Sequence, residues 1–210
     1  MTLCKPFVLS LSGIAGSGKT TVATALRTCL IKDALPSTTT VGIIGFDDFP
    51  GDLLGRDYCE WSEAGANCNE WDLGAMIEAV QSLVASPVGF IIVDQPFGAA
   101  HDLLKAWVDF FVWIDTPPDV ALARRILRDF TRRDTQRRPL AGDLVENISA
   151  HLDFYLSRHR DTYLTHIATV KPTVDLVVDG EKSPAAIARE IINGVQAAGC
   201  PQGCLQHPTL

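Results

Sequence analysis

The stretch GIAGSGKT, Gly13 to Thr20, constrains the fold of this chain more than any other part of the sequence. It follows the apolar run FVLSLS and fits the pattern G-x-x-x-x-G-K-T. Glycines let backbone N–H groups turn inward around an anion, and the N-terminus of a following helix adds a favourable dipole. We therefore expect a nucleotide-binding loop, with Lys19 on the β- and γ-phosphates and the Thr20 hydroxyl on Mg²⁺.

Short apolar runs alternate with helical patterns along the chain. The strand candidates are Phe7 to Leu11, Val41 to Phe46, Gly89 to Val93, Phe110 to Ile114 and Asp175 to Val178. Because these runs are almost continuously apolar, both faces of each strand should be covered, as in parallel sheets. The sequence predicts a three-layer α/β/α fold of the P-loop NTPase class, with a five-stranded, mostly parallel sheet. Ligands then bind beyond the carboxyl ends of the strands.

Length and composition fit one globular domain. The chain has 210 residues, of which 47% are hydrophobic and 20% charged, so disorder is not expected. The net charge of −7 argues against a nucleic-acid partner. We predict a single domain over residues 1–198 and a flexible tail over 199–210, whose Cys200, Cys204 and His207 are a frayed end rather than a metal site.

Location follows from what the chain lacks. No apolar run approaches the roughly 20 residues of a membrane span, and the apolar N-terminus runs directly into the phosphate loop without a cleavage-site pattern. We expect a cytoplasmic protein that binds no membrane and is a monomer or a homodimer.

The stretch GFDDFP follows the second strand and bears on what the bound phosphate is used for. A carboxylate here faces the γ-phosphate and can take the proton of a substrate hydroxyl, which is the role we assign to Asp47. The alternative is that Asp47 and Asp48 only cap the following turn. A GTPase is disfavoured because the base-reading motif N-K-x-D is missing, and a hexameric ATPase usually needs a longer chain.

The stretch IIVDQP ends the third strand. A carboxylate after a buried apolar strand is the Walker-B arrangement, which orders Mg²⁺ and its waters. Asp94 is that residue, and with Thr20 it forms the predicted metal site. The alternative is an ordinary Asp in a turn at the end of a strand.

An arginine-rich segment follows the fourth strand. Seven of the eighteen Lys and Arg residues lie between Arg124 and Arg138, although the protein is acidic. Arg124, Arg128 and Arg132 share one helix face, and arginine forks suit phosphate oxygens. We predict a lid over about residues 124–142 that closes over ATP. The alternative is a solvated charged face.

The candidate acceptor region is GRDYCEWSEAGANCNEWD. Tyr58, Trp61 and Trp71 could stack on a flat ring. Acidic residues in the same region, Glu60, Glu63, Glu70 and Asp72, could bind hydroxyls or a cation. The alternative is a surface loop whose aromatic side chains pack down as anchors.

Several of these segments together resemble the uridine kinase-like P-loop kinases of small molecules, which include nicotinamide riboside kinases. The matching text is SGIAGSGKTT, DDF, RRILRD, VKPTVDLVVDG and EWDLGAMIEAV, and the resemblance covers roughly Phe7 to Val195. The loop motif is specific only to the superfamily, whereas R-R-I-x-R-D is more specific to this family.

The resemblance implies roles for individual residues. It makes Asp47 the residue that assists the attacking hydroxyl, Asp72 the carboxylate that holds ribose hydroxyls, and Arg128 the lid arginine. Asp94 matches the acid at the end of the third strand, but Gln95 follows it where relatives often have an E-G pair. Phe49-Pro50 also departs from the family's two adjacent aromatic residues, which indicates a different acceptor pocket.

The resulting hypothesis is a phosphotransferase that uses ATP and Mg²⁺ to phosphorylate a hydroxyl of a nucleoside-like molecule. The predicted catalytic residues are Lys19, Asp47, Asp94 and Arg128. The predicted nucleotide-binding residues are Gly13, Ala15, Gly16, Ser17, Gly18, Lys19, Thr20, Thr21 and Arg124. The predicted acceptor-binding residues are Asp47, Phe49, Tyr58, Trp71 and Asp72. Two alternatives stay open: a kinase of a non-nucleoside metabolite or antibiotic hydroxyl, and a nucleotide-binding regulatory protein with little turnover.

Overall fold

The computed structural model describes residues 5–36, 39–49, 53, 57–131 and 143–199. The strands are β1 (Phe7–Ser12), β2 (Val41–Gly45), β3 (Phe90–Asp94), β4 (Phe110–Asp115) and β5 (Leu176–Asp179). The α-helices are α1 (Lys19–Cys29), α2 (Tyr58–Glu63), α3 (Gly74–Val84), α4 (Asp102–Lys105), α5 (Pro118–Ile126), α6 (Leu144–Phe154), α7 (Arg160–Val170) and α8 (Pro184–Ala197). Single π-helical turns extend α1, α5 and α6 (Leu30–Ala34, Leu127–Thr131 and Tyr155–His159), and 3₁₀ turns span Phe46–Asp48, Cys68–Glu70 and Lys171–Thr173.

The strands form one sheet in the order β2-β3-β1-β4-β5, and every neighbouring pair is parallel. The central strand β1 is buried along its whole length, and its Leu9 lies beside Ile92 of β3 and Phe110 of β4. The predicted α/β fold with a five-stranded sheet is therefore confirmed, with a sheet that is parallel throughout the described residues.

The side chains of β1 alternate between the two faces of the sheet, as the period of two in a strand requires. Leu9 and Leu11 pack with α1 and α8 through Leu26 and Ile191. Val8 packs into the opposite cluster, which includes residues of α3 and α7. Helices thus cover both faces, which explains why the strands are apolar at successive positions.

Local signals place the element ends within one or two residues of the expected positions. The second strand ends at Gly45 because Phe46 starts a 3₁₀ turn. The last helix begins as predicted, since Ser183 Oγ accepts a hydrogen bond of 3.3 Å from Ala186 N and Pro184 occupies the first turn.

All carboxyl ends of the strands meet at one edge of the sheet because the strands are parallel. The phosphate loop, the turn after β2 and Asp94 therefore lie along the same edge. The distal part of the predicted lid, residues 132–142, and the tail from Cys200 onward lie outside the described residues, so the predicted domain limits stay a prediction. No helix in the described part of the chain is long and apolar enough to cross a membrane.

Candidate active site

The loop between β1 and α1 has the backbone that its glycines predict. Gly16 and Gly18 have φ values of 90° and 98°, which favour glycine over residues with a side chain. A Cβ at Gly16 would lie 2.3 Å from the carbonyl oxygen of Ala121, so only glycine fits where the loop meets α5. Gly18 is the N-cap of α1, whose N-terminus therefore opens onto the loop.

Lys19 is the first residue of α1 and turns its ammonium group back into the loop. Its Nζ donates hydrogen bonds to Gly13 O at 2.9 Å and Ile14 O at 3.2 Å. Burial lowers the pKa of Lys19, and the charges of Asp94 and Asp47 oppose that effect. The ammonium group is thus held in the loop next to two carboxylates, which suits a group that binds phosphate oxygens.

Thr20 and Asp94 are in direct contact. Thr20 Oγ1 donates a hydrogen bond of 2.6 Å to Asp94 Oδ2, although the residues are 74 positions apart. Burial raises the pKa of Asp94, while Lys19 and the Thr20 hydrogen bond counteract that effect. Hydroxyl and carboxylate oxygens are the ligands that Mg²⁺ prefers, together with phosphate oxygens and water. The described residues contain no group of three or more His, Cys, Asp or Glu that could hold a metal ion.

The two acidic residues after β2 differ in their surroundings. Asp47 is exposed and interacts electrostatically with Lys19, Asp94 and Arg128. Asp48 turns back toward its own strand, since a Cβ at Gly45 would lie 2.9 Å from Asp48 Oδ2. The charges of both carboxylates act on Asp94, and of the two Asp47 also acts on Lys19 and Arg128.

The predicted lid arginines have separate partners. Arg128 forms an ion pair of 2.7 Å with Asp129, and the charge of Asp47 also contributes to raising the pKa of Arg128. Arg124 donates through Nη1 and Nη2 to Gly180 O at 3.1 Å each, with a longer contact of 3.4 Å to Ser17 O. Its guanidinium therefore connects the phosphate loop, at Ser17, to the loop after β5, at Gly180. Arg132 lies outside the described residues.

Arg125 was not singled out from the sequence, yet it lies between the loop and the acceptor region. A Cβ at Gly16 would lie 2.9 Å from Arg125 Cγ, so its stem packs on the loop. Its Nη1 donates to the hydroxyl of Tyr163, and its Nε is buried without a partner. A buried donor with a free N–H is suited to an anionic ligand. Periodicity alone could not find it, because it is one position off the Arg124–Arg128 face.

An aromatic surface lies beside Asp47. Phe46, Tyr58 and Trp71 are partly exposed, with ring centroids 5.6 Å apart for Phe46 and Trp71 and 6.2 Å for Tyr58 and Trp71. Beneath them Trp61 and Phe97 are each 1% exposed. We call Phe46, Tyr58 and Trp71 the aromatic surface. Trp61 is buried below this surface. For Trp61 this agrees with the alternative interpretation, in which the aromatic side chains of the region pack down as anchors.

The other predicted acceptor residues are less directly engaged. Phe49 is partly buried against the same apolar cluster. Asp72 is exposed, and its Oδ1 accepts a hydrogen bond of 2.9 Å from Gly74 N at the start of α3. Glu60 completes the capping box of α2, and Glu63 binds Arg158 at 3.2 Å. The roles that the sequence predicts for Phe49 and Asp72 stay predictions.

A buried histidine was also missed. His166 on α7 is 1% exposed, and its Nε2 lies 2.8 Å from Pro96 O in the turn after β3. Burial lowers the pKa of His166 to about 4, so the ring is neutral at pH 7 and donates through Nε2. Its ring contacts those of Tyr58 and Trp61. His166 thus joins α7 to both the turn and the aromatic surface.

The chain is similar in sequence to curated uridine kinases and in fold to a solved kinase structure. The uridine kinase of Halobacterium salinarum is 25% identical over 204 residues, covering 85% of this chain and 83% of the relative. That of Borrelia duttonii is 23% identical over 186 residues, covering 81% and 85%. The solved structure of a possible uridine kinase from Bacillus stearothermophilus superposes with a TM-score of 0.53 at 16% identity, covering 85% of this chain and 91% of that one. No family model matches the chain.

A phosphate loop on a parallel sheet, a strand-end carboxylate bound to the loop threonine, and these relatives define a P-loop kinase that phosphorylates a hydroxyl group of a small molecule. Within that class the curated relatives that the chain resembles are uridine kinases. P-loop kinases generally use ATP and Mg²⁺, and the contact between Thr20 and Asp94 fits that metal.

Proposed function

We propose that this protein transfers the γ-phosphoryl group of ATP to a hydroxyl of a nucleoside-like molecule bound on the aromatic surface. One observation carries the proposal: Asp47 interacts electrostatically with both Lys19 and Arg128, and its neighbour Phe46 is part of the aromatic surface. A carboxylate in this position adjoins both the phosphate site and the acceptor site.

The phosphate side of the reaction depends on electrostatic preorganisation. Lys19 exchanges its contacts to Gly13 O and Ile14 O for β- and γ-phosphate oxygens. Thr20 and Asp94 would hold Mg²⁺, which when bound neutralises charge that develops on the phosphates. Arg128 leaves Asp129 and adds a second positive charge.

The acceptor side requires a base. The acceptor hydroxyl gives its proton to Asp47 as its oxygen forms the new bond to phosphorus, and the bond from phosphorus to the β,γ-bridging oxygen breaks to leave ADP. Asp47 is exposed in the unliganded protein, so its carboxylate is accessible to an incoming hydroxyl.

The acceptor class rests on the aromatic surface and on the relatives. Flat heteroaromatic rings stack on or meet aromatic side chains edge-on, and Tyr58 and Trp71 are available for this. The curated relatives are uridine kinases, which supports a nucleoside acceptor. Burial raises the pKa of Tyr58, so its phenol stays protonated and can donate a hydrogen bond.

A hydroxylated carboxylic acid is the second candidate acceptor, and Arg125 favours it. Its guanidinium lies between the phosphate loop and Tyr163, and its Nε is buried without a partner. A carboxylate would satisfy that donor and its charge. A nucleoside would use the same donor for a carbonyl or hydroxyl oxygen.

Acceptor-dependent ADP formation across a panel tests the proposal. The panel contains uridine, cytidine, nicotinamide riboside, shikimate, gluconate, pantothenate and an aminoglycoside. We expect turnover with a nucleoside that disappears in Asp47→Asn. Turnover only with the acids would replace the nucleoside by the second candidate, and turnover with none of the panel would contradict the proposed acceptor class.

A further inference from the structure

We propose that Gln95 is a positioning residue. Its hydrogen bonds fix the position of the aromatic surface relative to Asp94, and this position determines how tightly the acceptor binds. The proposal rests on the proposed function, because it assumes that the acceptor binds on the aromatic surface.

Every polar group of the Gln95 side chain is engaged inside the protein. The residue is 0% exposed, and its Nε2 donates to Ser10 Oγ at 2.6 Å and to Gly98 O at 3.2 Å. Its Oε1 accepts a hydrogen bond from Phe97 N. The amide thus ties β1 to the turn after β3, and glycine at this position could make none of these bonds.

The same turn is fastened from the opposite side by α7 and the 3₁₀ turn Lys171–Thr173. Pro96 O accepts from His166, and Ala99 N donates to Thr173 Oγ1 at 3.1 Å. Gly98 has a φ of 54°, and a Cβ there would lie 2.7 Å from Val170 Cγ1. A turn held on both sides has little freedom to shift.

Phe97 connects the turn after β3 to the aromatic surface. Its ring is buried, with centroids 5.3 Å from Phe46 and 5.4 Å from Trp71. Phe46 directly precedes Asp47, and Gln95 directly follows Asp94. One short path of contacts therefore joins the metal-binding carboxylate, the aromatic surface and the proposed base.

This arrangement makes Gln95 a determinant of acceptor binding rather than of nucleotide binding. Two of its three side-chain bonds run to Phe97 and Gly98, and the third runs to Ser10 within β1. The phosphate loop beyond β1 is fixed separately by Arg124 and by the close approach of Gly16 to α5. Loss of the Gln95 amide should therefore loosen the aromatic surface and leave the nucleotide site intact.

Gln95→Met tests the proposal, because methionine keeps the length and burial of the side chain but forms no comparable hydrogen bonds. Gln81→Met on the exposed face of α3 is the matched control. With uridine as acceptor, we expect Gln95→Met to raise the acceptor KM about tenfold, the order expected when buried hydrogen bonds are lost, while the KM for ATP stays within about threefold. Ser10→Ala, which removes one of the bonds, should raise the acceptor KM less.

Hydrogen exchange at the Phe97 amide gives a readout that does not depend on the acceptor, and it should speed up in Gln95→Met only. An unchanged acceptor KM in a folded Gln95→Met protein, or equal rises for ATP and acceptor, would overturn the proposal. If Gln95→Met does not fold, Phe97→Leu carries the same expectation of a selective rise in acceptor KM. A wild-type protein that phosphorylates no nucleoside would instead contradict the proposed function, whatever the exchange at Phe97.

Discussion

The hydroxyl of Thr20 and the carboxylate of Asp94 are joined by a hydrogen bond of 2.6 Å that connects the first turn of α1 to the end of β3. Asp94 as a whole is 8% exposed, and burial raises the pKa of its carboxyl group despite the nearby Lys19. An ionised group in such a position costs folding stability in the unliganded protein. The cost is understandable if the same oxygen atoms bind Mg²⁺ when nucleotide enters.

Asp94→Asn should therefore stabilise the unliganded protein at pH 7 and remove Mg²⁺-dependent turnover. Because the folded-state pKa of Asp94 lies above its ordinary value of 3.8, stability from this group is full below pH 3.8 and is lost as the pH rises through the folded-state pKa. The stabilising effect of the substitution should thus be largest near neutral pH and shrink as the pH falls toward 3.8. Thermal unfolding across this pH range measures it.

Asp115→Asn is the matched control for Asp94→Asn. Asp115 also ends a strand, but it pairs with Lys171 at 2.7 Å and accepts from Trp113 Nε1 at 3.2 Å. Its removal should lower the unfolding temperature slightly or leave it unchanged. A less stable Asp94→Asn protein would contradict the interpretation that the ionised Asp94 carboxylate lowers folding stability and is kept for its function.

Lys19→Ala should lower kcat by roughly 10²-fold or more, because it removes the charge that the loop holds against the β- and γ-phosphates. Steady-state kinetics with saturating ATP measures this loss. Lys5→Ala removes an exposed lysine paired with Asp109 and should leave kcat unchanged. Near-normal turnover of a folded Lys19→Ala protein would be incompatible with a P-loop phosphotransfer mechanism.

ATP should slow hydrogen exchange in the segment from Arg124 to Thr131, which forms the described start of the predicted lid. Arg128 is half exposed and bound to its neighbour Asp129, so phosphate can take over its guanidinium. Arg128→Ala should remove most of the protection. The helix Pro184–Ala197 serves as an internal reference. Equal hydrogen-exchange rates with and without ATP would indicate that these arginines form a solvated surface and not a lid.

His166 should make the protein sensitive to mild acid. Its pKa is lowered from 6.5 to about 4 by burial, so the stability linked to its neutral form is present above pH 6.5 and is lost as the pH falls through 4. At pH 5 the expected loss relative to pH 7 is on the order of 2 kcal/mol. Urea unfolding at both pH values should show a smaller difference for His166→Gln, which can still donate to Pro96 O. An unchanged difference would assign the acid sensitivity to other groups.

The parts of the site that follow from sequence are those built from neighbouring residues. The phosphate loop was predicted because its glycines, Lys19 and Thr20 form one contiguous motif, and the structure has the expected backbone there. The strand-end position of Asp94 was predicted from the apolar run before it. Parallel pairing then brings both segments to one edge of the sheet.

The parts that could not be predicted depend on packing between distant segments. Nothing local distinguishes Arg125 from Arg124, but α5 packs on Gly16 so that one arginine reaches Tyr163 and the other Gly180 O. The buried state of Trp61 likewise follows from the way α2 packs against α7 and not from its spacing to Trp71. Three-dimensional contacts decide which partner each of two similar side chains reaches.

Asp47 and Asp48 provide the sharpest test of the proposed reaction, because they are adjacent carboxylates with different surroundings. Asp47 interacts electrostatically with Lys19 and Arg128, whereas Asp48 turns back toward Gly45. A carboxylate that accepts the proton of an attacking hydroxyl contributes typically 10²–10⁴-fold to the rate. Asp47→Asn should therefore reduce acceptor phosphorylation by roughly that factor and leave ATP affinity within a few-fold of wild type.

Asp48→Asn is the matched control for Asp47→Asn, since it removes the same charge one residue away and should have a much smaller effect. Acceptor-dependent ADP formation measures the catalytic loss, and calorimetric titration with ATP and Mg²⁺ measures nucleotide affinity. Loss of ATP binding together with activity would make Asp47 a metal-binding or structural residue. A larger defect in Asp48→Asn would assign the base to the second carboxylate, which would have to turn away from Gly45 when the acceptor binds.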